Sequence, residues 1–322
     1  MRIVFMGSPV EVIAPLKALE TLCEKSAHSI TAVISQPPKK VGRRGVLTDP
    51  PLAAYAKSQG LEVLQPESAK DPEFLEKLRT LEPDLIITAA YGQILSEQFL
   101  RIPKRATINI HPSLLPKYRG ATPVPAALLD GIETSGVSIL FTVKKLDAGA
   151  LILQQKSAIG PDETTGSLTM RLFEMGGEML SEAIKALEDP AFSGTSQDEE
   201  SVTFCHKISK QDGQIQWQKT AEDIVNQYRA YTPWPSVYTF YQGKRLTISD
   251  LTLASNDDDL PIHSSHPGSF HYVKKQRALY VYCGDQKAVL IHKIKPEGGK
   301  VLDIASFING IKGIKVGIFD AS

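Results

Sequence analysis

The sequence predicts an α/β protein with a mostly parallel sheet in its N-terminal half and a small β-barrel in its C-terminal half. Three observations support this prediction. Short β-branched runs alternate with helical patterns through the first third of the chain, which is typical of βαβ units. Two further strand patterns and a long helical pattern follow. After a polar segment, the chain contains short strands separated by turns, as small barrels do.

The N-terminal half is predicted to begin with alternating strands and helices. Strands are predicted over Arg2–Met6, Ser29–Ser35, Leu61–Leu64, Asp84–Ala90 and Ala106–Ile110, and helices over Pro9–Glu24 and Pro50–Gln59. For the second helix, Asp49 is the predicted N-cap and Gly60 the predicted terminator. This alternation indicates a parallel sheet.

The middle of the chain changes pattern. Ser135–Lys145 and Ala150–Ala158 are predicted to pair as antiparallel strands, and a helix is predicted from Thr165 to Leu187. Residues 189–202 are polar and rich in turn formers, so we interpret residues 189–205 as a linker. We therefore expect a catalytic or binding domain over residues 1–188 and a second domain over residues 206–322.

The second domain begins with one helix and continues with short strands. The helix is predicted over Thr220–Ala230, and the strands over Val237–Tyr241, Arg245–Leu253, Gly268–Val273, Ala278–Cys283 and Ala288–Ile294. Residues 206–322 contain 15 basic and 11 acidic side chains. This modest basic excess is compatible with an oligonucleotide-binding barrel but does not require one.

Composition excludes several classes of protein. Of the 322 residues, 36 are Lys or Arg and 36 are Asp or Glu, so attraction to nucleic acid or membrane must come from local patches. Cys23, Cys205 and Cys283 are far apart, which argues against a disulfide framework and a Cys-rich zinc site. No apolar stretch reaches membrane-spanning length. We therefore expect a soluble, cytoplasmic protein. We also expect a monomer, although composition does not bear on oligomeric state.

The stretch NIHPSLLPKYRG, which begins at Asn109, is the first candidate site. Side chains alternate across a strand, so Asn109 and His111 share one face while Ile108 and Ile110 can be buried on the other. They lie at the carboxyl end of a predicted parallel strand, where open α/β sheets bind ligands. Pro112 restricts the backbone of His111. The alternative is that both side chains only satisfy backbone groups at a strand end.

Other sequence features exclude several kinds of active site. The first βα turn, Gly7-Ser8-Pro9, is not a three-glycine dinucleotide cradle. No serine elbow, Cys–His pair or spacing of metal ligands is present. We therefore expect no metal and no covalent intermediate. Asp147 lies in a predicted turn, where it either caps that turn or belongs to the site.

Asn109-x-His111-Pro112-Ser113-Leu114-Leu115-Pro116, with Asp147 further along, resembles the signature of the folate-dependent formyltransferases. The resemblance to the members that act on tRNA extends from Gly7-Ser8-Pro9 through residues 90–95 to Pro233-Trp234-Pro235. It implies a Rossmann-like catalytic domain and an OB-like C-terminal domain that binds tRNA. It also implies that 10-formyltetrahydrofolate donates a formyl group to the amine of methionine on initiator tRNA.

The resemblance also implies roles for individual residues. Asn109 would donate a hydrogen bond to the oxyanion, and His111 would help there or relay a proton. Asp147 would orient His111 and help to remove the amine proton. The expected folate-binding residues are Ala90, Tyr91, Gly92, Ile94, Leu95, Ser113, Leu114, Leu115 and Pro116.

A basic loop over residues 36–48 is the predicted contact with tRNA. It contains Lys39, Lys40, Arg43 and Arg44 among prolines and glycines, so it is polar and attracted to phosphate. The alternative is a solvated surface loop. By resemblance, this loop enters the acceptor stem of the tRNA, and Arg43 is the best-matched contact. We expect the loop to be mobile.

Other functions remain open at this point. Formyltransferases that act on a nucleotide-sugar amine and formyltetrahydrofolate hydrolases share the Asn-x-His pair and the aspartate, and they can have a similar extra domain. Glycinamide ribonucleotide formyltransferases share the SLLP segment but generally lack that domain. A noncatalytic RNA-binding module belongs to a different class, and the presence of the complete Asn109, His111 and Asp147 set argues against it.

Overall fold

The computed structural model describes residues 1–42, 45–255, 266–310 and 316–320, and its N-terminal strands alternate with helices as predicted. These strands are β1 (Arg2–Gly7), β2 (Ser29–Ile34), β3 (Lys39–Val41), β4 (Val46–Thr48), β5 (Val63–Leu64), β6 (Leu85–Ala89), β7 (Ala106–His111), β8 (Thr134–Phe141) and β9 (Leu151–Ala158).

The described chain divides into two compact units. The first comprises Met1–Pro123, Glu133–Ile159 and Ser167–His206; the second comprises Val124–Ile132, Gly160–Gly166 and the described residues from Lys207 onward.

The sheet of the first unit has the strand order β5-β2-β1-β6-β7-β8-β9. Strands β5 to β7 in this order run parallel, whereas β8 pairs antiparallel with both of its neighbours. The prediction of a mostly parallel, Rossmann-like sheet with an antiparallel β8–β9 pair is therefore confirmed. Strands β3 and β4 form a separate antiparallel hairpin, which the sequence analysis did not predict.

The helices correct one prediction from the sequence, the N-cap of the second helix, and refine another, the long helix that ends at Leu187. They are α1 (Ile13–Glu24), α2 (Pro51–Ser58), α3 (Pro72–Thr80), α4 (Glu97–Leu100), α5 (Pro123–Leu129), α6 (Thr165–Glu178), α7 (Leu180–Ala186), α8 (Ala221–Ala230) and α9 (Ile304–Gly310). The prediction of Asp49 as the N-cap of α2 is wrong, because Pro50 holds that position and Asp49 pairs with Lys57 at 2.7 Å. The predicted long helix is divided at Met179 into α6 and α7.

Close packing behind the central strands leaves no room for side chains at two glycines. A Cβ on Gly7, at the end of β1, would lie 2.6 Å from the carbonyl oxygen of Ala89. A Cβ on Gly176 of α6 would lie 2.5 Å from the side chain of Ile110. Ile108 and Ile110 are both buried, as their alternation with Asn109 and His111 predicts. The apolar face of β7 is therefore fixed by the helix behind it.

The described part of the second unit forms an antiparallel sheet. Its strands are β10 (Val237–Tyr241), β11 (Lys244–Leu253), β12 (Ser269–Val273), β13 (Ala278–Tyr282), β14 (Ala288–Pro296), β15 (Leu302–Asp303) and β16 (Val316–Ile318). The order is β10-β11-β14-β13-β12-β16, with β15 also paired to β14. Register shifts between β11 and β14 near Asp250 bend the strands. The predicted OB-like barrel is confirmed; β15, β16 and α9 were not predicted.

Residues that follow β16 return to the other edge of this sheet. The Asp320 carboxylate accepts hydrogen bonds from the backbone N–H groups of Gln242 and Gly243, and the Asp320 N–H donates to the Phe240 carbonyl. The Phe319 ring packs against Trp217, Phe270 and Tyr241. These contacts curl the sheet, because its first and last strands are held to the same short segment.

Within the described ranges, none of the helices combines the length and the apolar content that crossing a bilayer requires.

Candidate active site

Strand β7 carries two polar side chains at its carboxyl end, where it lies between β6 and β8. Asn109 is paired with Thr88 of β6 and Leu140 of β8, and His111 is paired with Ser138 of β8. Asn109 and His111 project from the same face, opposite the buried Ile110. The edge at which parallel strands end is the usual ligand-binding edge of an open α/β sheet. The site is therefore built on an interior strand that pairs with a neighbour on each side.

The Asn109 side chain is anchored through its oxygen. The hydroxyl of the buried Thr88 lies 2.9 Å from Asn109 Oδ1 and 3.0 Å from the Ile108 carbonyl oxygen. Within the described ranges, Asn109 Nδ2 makes no hydrogen bond. The amide therefore keeps its two N–H donors for a ligand while its oxygen is held by the sheet.

The His111 ring is held in one tautomer by a backbone carbonyl. His111 is only 4% exposed, and its Nε2 lies 3.1 Å from the Tyr118 carbonyl oxygen. A carbonyl oxygen can only accept, so Nε2 carries a proton. In the neutral ring, the lone pair then lies on Nδ1, which is 3.8 Å from Asp147 Oδ2. This nitrogen is therefore the one that can exchange a proton at the site.

Asp147 is held beside His111 by the backbone. Its Oδ2 accepts a hydrogen bond of 2.8 Å from the Gly120 N–H, and the side chain is 13% exposed. Asp147 has a φ of 48°, and Tyr118, whose carbonyl holds His111, has a φ of 60°. Non-glycine residues in this left-handed region are uncommon and cluster at functional sites. Two segments that are distant in sequence thus meet with strained backbones at the same imidazole.

The structure brings His111 and Asp147 together and places Asn109 two residues away on the same face. The three groups form a donor amide, an imidazole and a carboxylate. An uncommitted amide donor can stabilise developing negative charge on an oxygen. An imidazole next to a carboxylate can accept, donate or relay a proton. The arrangement therefore fits acyl transfer to a nucleophile that must lose a proton.

The first predicted folate-binding segment follows β6. Ala90 has a φ of 45°, Gly92 a φ of 85°, and the Tyr91 carbonyl oxygen accepts a hydrogen bond from Gln36 Nε2. The Tyr91 ring lies in the core, and burial raises the pKa of its hydroxyl to about 12. Ile94 is 78% exposed. This segment therefore offers backbone groups and the Ile94 side chain to a ligand, but not the Tyr91 ring.

The second predicted folate-binding segment follows β7 and forms a tight turn. Ser113 is fully buried, and its hydroxyl donates to the Lys117 carbonyl at 2.9 Å. Leu115 is also buried, whereas Leu114 and Pro116 are half-buried. The Ser113 side chain therefore closes the turn, and the accessible surface comes from its neighbours. Because β6 and β7 are paired, both predicted segments begin at the same edge of the sheet.

Ser138 of β8 ties this turn to the sheet. Its hydroxyl donates to the Ser113 carbonyl at 2.6 Å and accepts from the Leu115 N–H at 3.1 Å and from Gln154 Nε2 at 2.9 Å. Gln154 Nε2 also donates to the Leu115 carbonyl at 2.8 Å. Two polar side chains of the antiparallel strands thus satisfy the backbone of the turn.

The basic loop is partly described. Lys39 and Lys40 lie on the exposed hairpin of β3 and β4, and Lys39 Nζ donates to Gln36 Oε1 at 2.8 Å. Arg43 and Arg44, the other two predicted tRNA contacts, lie outside the described residues. The hairpin is a regular element where the sequence analysis expected an irregular loop.

A further set of residues supports the site and was not predicted from the sequence. Arg119 is fully buried, and its guanidinium donates to Gln197 and Glu199. Hydrogen bonds from Lys145 and from Arg119 lower the pKa of the Glu199 carboxyl to about 2. Arg119 belongs to the stretch that begins at Asn109. A basic residue so close to the candidate site could therefore have been recognised from the sequence. No feature of the sequence indicated a role for Gln197 or Glu199, because both lie in a polar segment interpreted as a linker.

Metal ligands form no cluster in the part of the chain that the structure describes.

Comparison with sequence families identifies the class of protein. A family model described as "Formyl transferase" matches residues 1–184, and one described as "Formyl transferase, C-terminal domain" matches residues 207–312. The chain therefore belongs to the formyl transferase family. The proposed site residues all lie within the first match.

Individual relatives narrow this class. The methionyl-tRNA formyltransferase of Macrococcus caseolyticus is 38% identical over 317 residues, which cover 98% of this chain and 98% of the relative. The methionyl-tRNA formyltransferase of Listeria innocua is 38% identical over 309 residues, which cover 96% of this chain and 95% of the relative. The similarity thus includes both units and the strands that carry the site.

Solved structures share the fold. HypX from Aquifex aeolicus, in complex with tetrahydrofolic acid, superimposes with a TM-score of 0.65 at 17% identity and covers 100% of this chain; this chain spans 51% of HypX. An N-formyltransferase from Helicobacter canadensis, with folinic acid and dTDP-3-aminofucose, has a TM-score of 0.66 at 17% identity, covering 90% of this chain and 98% of its own. At these identities, the likeness establishes the fold alone.

Proposed function

We propose that this enzyme transfers the formyl group of 10-formyltetrahydrofolate to the α-amine of methionine on initiator methionyl-tRNA. The observation that carries the proposal is the convergence of Asn109, His111 and Asp147 at the end of β7. Its support is the similarity, at 38% identity over 98% of the chain, to a methionyl-tRNA formyltransferase. The product would be the formylated initiator used in translation.

Asn109 is proposed to stabilise the oxyanion. When the amine attacks the formyl carbon, the formyl oxygen gains negative charge. The Nδ2 donors of Asn109 are uncommitted and its Oδ1 is held by Thr88, so the amide is preorganised toward such an oxygen. One donor of this kind contributes roughly 10²–10³ in rate.

His111 and Asp147 are proposed to manage the proton of the attacking amine. A C–N bond forms between methionine and the formyl carbon, the bond from that carbon to folate N10 breaks, and the amine proton must reach N10. His111 Nδ1 can accept or donate this proton, and Asp147 Oδ2, 3.8 Å away, stabilises the protonated ring. Since Tyr118 and Gly120 hold the two groups, little reorganisation is needed.

The folate cosubstrate is proposed to lie along the two segments that follow β6 and β7. Backbone groups of residues 90–92 and the exposed Ile94 side chain belong to the first segment, and residues 113–116 form the second. Apolar walls with a few backbone hydrogen bonds suit a pterin ring. The tetrahydrofolate and folinic acid in the HypX and Helicobacter canadensis structures support this class of ligand.

The tRNA is proposed to contact both halves of the chain. Lys39, Lys40, Arg43 and Arg44 of the basic loop would bind phosphates of the acceptor stem. We propose residues 206–322 as the OB-like tRNA-binding domain and residues 1–188 as the catalytic domain, with 189–205 joining them. We also propose that the protein acts as a monomer in the cytoplasm, without a metal.

One parallel assay tests the proposed function. The protein is incubated with formyl-labelled 10-formyltetrahydrofolate and, in separate reactions, with initiator methionyl-tRNA, elongator methionyl-tRNA, a nucleotide amino sugar or buffer alone. We expect label on initiator methionyl-tRNA, with much less on the elongator. Label on the amino sugar would instead assign the sugar-modifying reaction, and release of formate in buffer alone would assign a hydrolase. Tight tRNA binding without any label transfer would leave only a noncatalytic binding role.

A further inference from the structure

Residues 195–205, here called the strap, pack against the elements that carry the proposed site. At one end, Thr195 pairs with Leu151 at the start of β9 through two backbone hydrogen bonds of 2.7 and 2.8 Å. At the other end, the Arg119 N–H donates to the Thr203 carbonyl at 2.9 Å, and the Cys205 N–H donates to the Arg119 carbonyl at 2.9 Å. The strap therefore connects the turn after β7 with the β8–β9 connection.

The geometry points to a role for Gln197 of the strap in positioning Asp147 against His111. Gln197 Nε2 donates to the carbonyl oxygens of Asp147 and Gly149 at 2.8 and 2.7 Å. One of these carbonyls belongs to Asp147 itself, and the other lies two residues further along the chain. This role rests on the proposed function and makes Gln197 a positioning residue for formyl transfer.

The orientation of the Gln197 amide is set by Arg119. Arg119 Nε and Nη2 donate to Gln197 Oε1 at 3.1 and 2.8 Å. A guanidinium can only donate, so the atom it contacts is the oxygen, and the amide nitrogen must face the two carbonyls. Arg119 is fully buried, which makes this cation a fixed point rather than a mobile surface charge.

Arg119 lies between the two backbone groups that hold the proposed catalytic pair. The residue before it, Tyr118, accepts the hydrogen bond from His111 Nε2, and the residue after it, Gly120, donates to Asp147 Oδ2. The same three residues therefore contact the imidazole, the carboxylate and, through the Arg119 side chain, the strap. A displacement of this segment would change the separation of His111 and Asp147.

Glu199 provides a second connection from the strap to the Asp147 turn. Its Oε1 accepts from Arg119 Nη2 at 2.8 Å, and its Oε2 pairs with Lys145 Nζ at 2.5 Å. Lys145 lies two residues before Asp147. The carboxylate is exposed and the pair with Lys145 is solvated, so this connection is weaker than the one through Gln197.

Two substitutions at Gln197 separate positioning from simple packing. In Gln197→Ala, both donors to the turn are lost, and misplacement of Asp147 is expected to lower kcat by about 10–100-fold with KM for both substrates nearly unchanged. Gln197→Glu keeps an oxygen for Arg119 but places a second oxygen against the two carbonyls. We expect Gln197→Glu to be at least as slow. Recovery of parent kcat by Gln197→Glu would show that only the Arg119 contact matters and would overturn the inference.

Gln227→Ala is the matched control. Gln227 Nε2 also donates to two carbonyls, those of Asp212 and Gln214, at 2.7 and 3.1 Å, but it lies in the second unit. This variant removes the same kind of contact from the proposed tRNA-binding domain, which carries none of the groups proposed for the chemistry. At saturating tRNA, kcat should therefore stay within about twofold of the parent, whatever the change in KM for tRNA. An equal loss of kcat in Gln227→Ala and Gln197→Ala would contradict a specific effect on Asp147.

The Asp147→Ala background tests whether Gln197 acts through Asp147. If it does, adding Gln197→Ala to Asp147→Ala should change kcat by less than about twofold, because the group to be positioned is absent. The same 10–100-fold loss in both backgrounds would refute the inference.

Hydrogen exchange provides a readout that does not depend on activity. We expect amides of residues 142–151 to exchange faster in Gln197→Ala and Gln197→Glu than in the parent or in Gln227→Ala. Unchanged exchange with an active parent enzyme would refute the inference. An inactive parent with faster exchange in the two variants would leave the structural role intact and refute the proposed function instead, so the two failures are distinguishable.

Discussion

The end of β7 and the β3–β4 hairpin are both polar regions of the first unit, but they are built in opposite ways. At the end of β7, Thr88, Tyr118 and Gly120 each hold one of the proposed catalytic groups, and His111 is buried. The hairpin has three-residue strands on which every residue is exposed. Its apolar residues, including Leu47 at 66% exposure, are not covered by the core.

This difference corresponds to the two tasks proposed for the regions. Charge development during acyl transfer is stabilised only by groups that are already in position, which requires buried and fully paired supports. Phosphate contacts act over longer distances and tolerate movement, so an exposed hairpin with cationic side chains can provide them. Substitutions at the end of β7 should therefore lower kcat, whereas substitutions in the hairpin should weaken the binding of tRNA.

Substitution of Asn109 should reduce activity the most. Asn109→Ala removes the proposed donor to the oxyanion, and kcat for formyl transfer should fall by roughly 10²–10³. Asn109→Asp keeps the shape of the side chain but not its donors, and it should be equally slow. Both are measured under saturating substrates, with folding checked by circular dichroism. A normally folded Asn109→Ala variant with parent kcat would exclude this residue from the chemistry.

The next effect concerns stability at the turn after β7. Ser138→Ala removes the hydroxyl that serves the Ser113 carbonyl, the Leu115 N–H and Gln154, and leaves buried polar groups unpaired. The free energy of unfolding should fall by about 1–3 kcal/mol, as measured by urea denaturation. In Ser58→Ala, the lost hydroxyl is exposed, and the change should stay within about 0.5 kcal/mol. Equal values for both variants would contradict the proposed difference in burial.

The basic loop should affect affinity without affecting the chemical step. Replacing Arg43 and Arg44 by Gln should weaken binding of initiator tRNA and reduce the slope of log affinity against log salt by roughly one to two units. Measurements over a salt series test this, with kcat at saturating tRNA expected to stay near that of the parent. Lys104→Gln, at an exposed residue outside the proposed interface, is the control. A slope that does not change would remove the loop from the tRNA interface.

The smallest effect is predicted within the hairpin itself. Leu47 is largely exposed, so Leu47→Ser should change the free energy of unfolding by no more than about 0.5 kcal/mol. Urea denaturation measures this. A loss above 1 kcal/mol would show that the hairpin is energetically part of the core, and the contrast between the two regions would be wrong.

The parts of the fold with a strong local pattern could be predicted from the sequence. Apolar runs such as Ile3–Met6 and the helical pattern over Thr220–Ala230 identified β1 and α8 within a residue or two. The hairpin of β3 and β4 was missed because its strands are short and exposed, so no burial pattern marks them. The N-cap prediction at Asp49 failed because Lys57 and Gln65 provide competing partners for its carboxylate.

The residues of the candidate site also fall into those that could be predicted from the sequence and those that could not. The position of Asn109 and His111 on one face follows from strand geometry, and family resemblance added Asp147. The partners that hold these groups, Thr88 and Gln197, carry no distinctive local pattern. Thr88 lies in an otherwise apolar strand and Gln197 in a polar segment, and neither position indicates which distant side chain it contacts.

The sequence alone predicted most of the local conformations, because period-two alternation and turn residues act over a few neighbouring positions. It also determined which side of β7 is polar. The packing of the folded chain places Asp147 of the β8–β9 turn beside His111, and it connects the strap to both through Arg119. Contacts between distant segments depend on how whole strands and loops pack, and no single stretch of sequence contains that information.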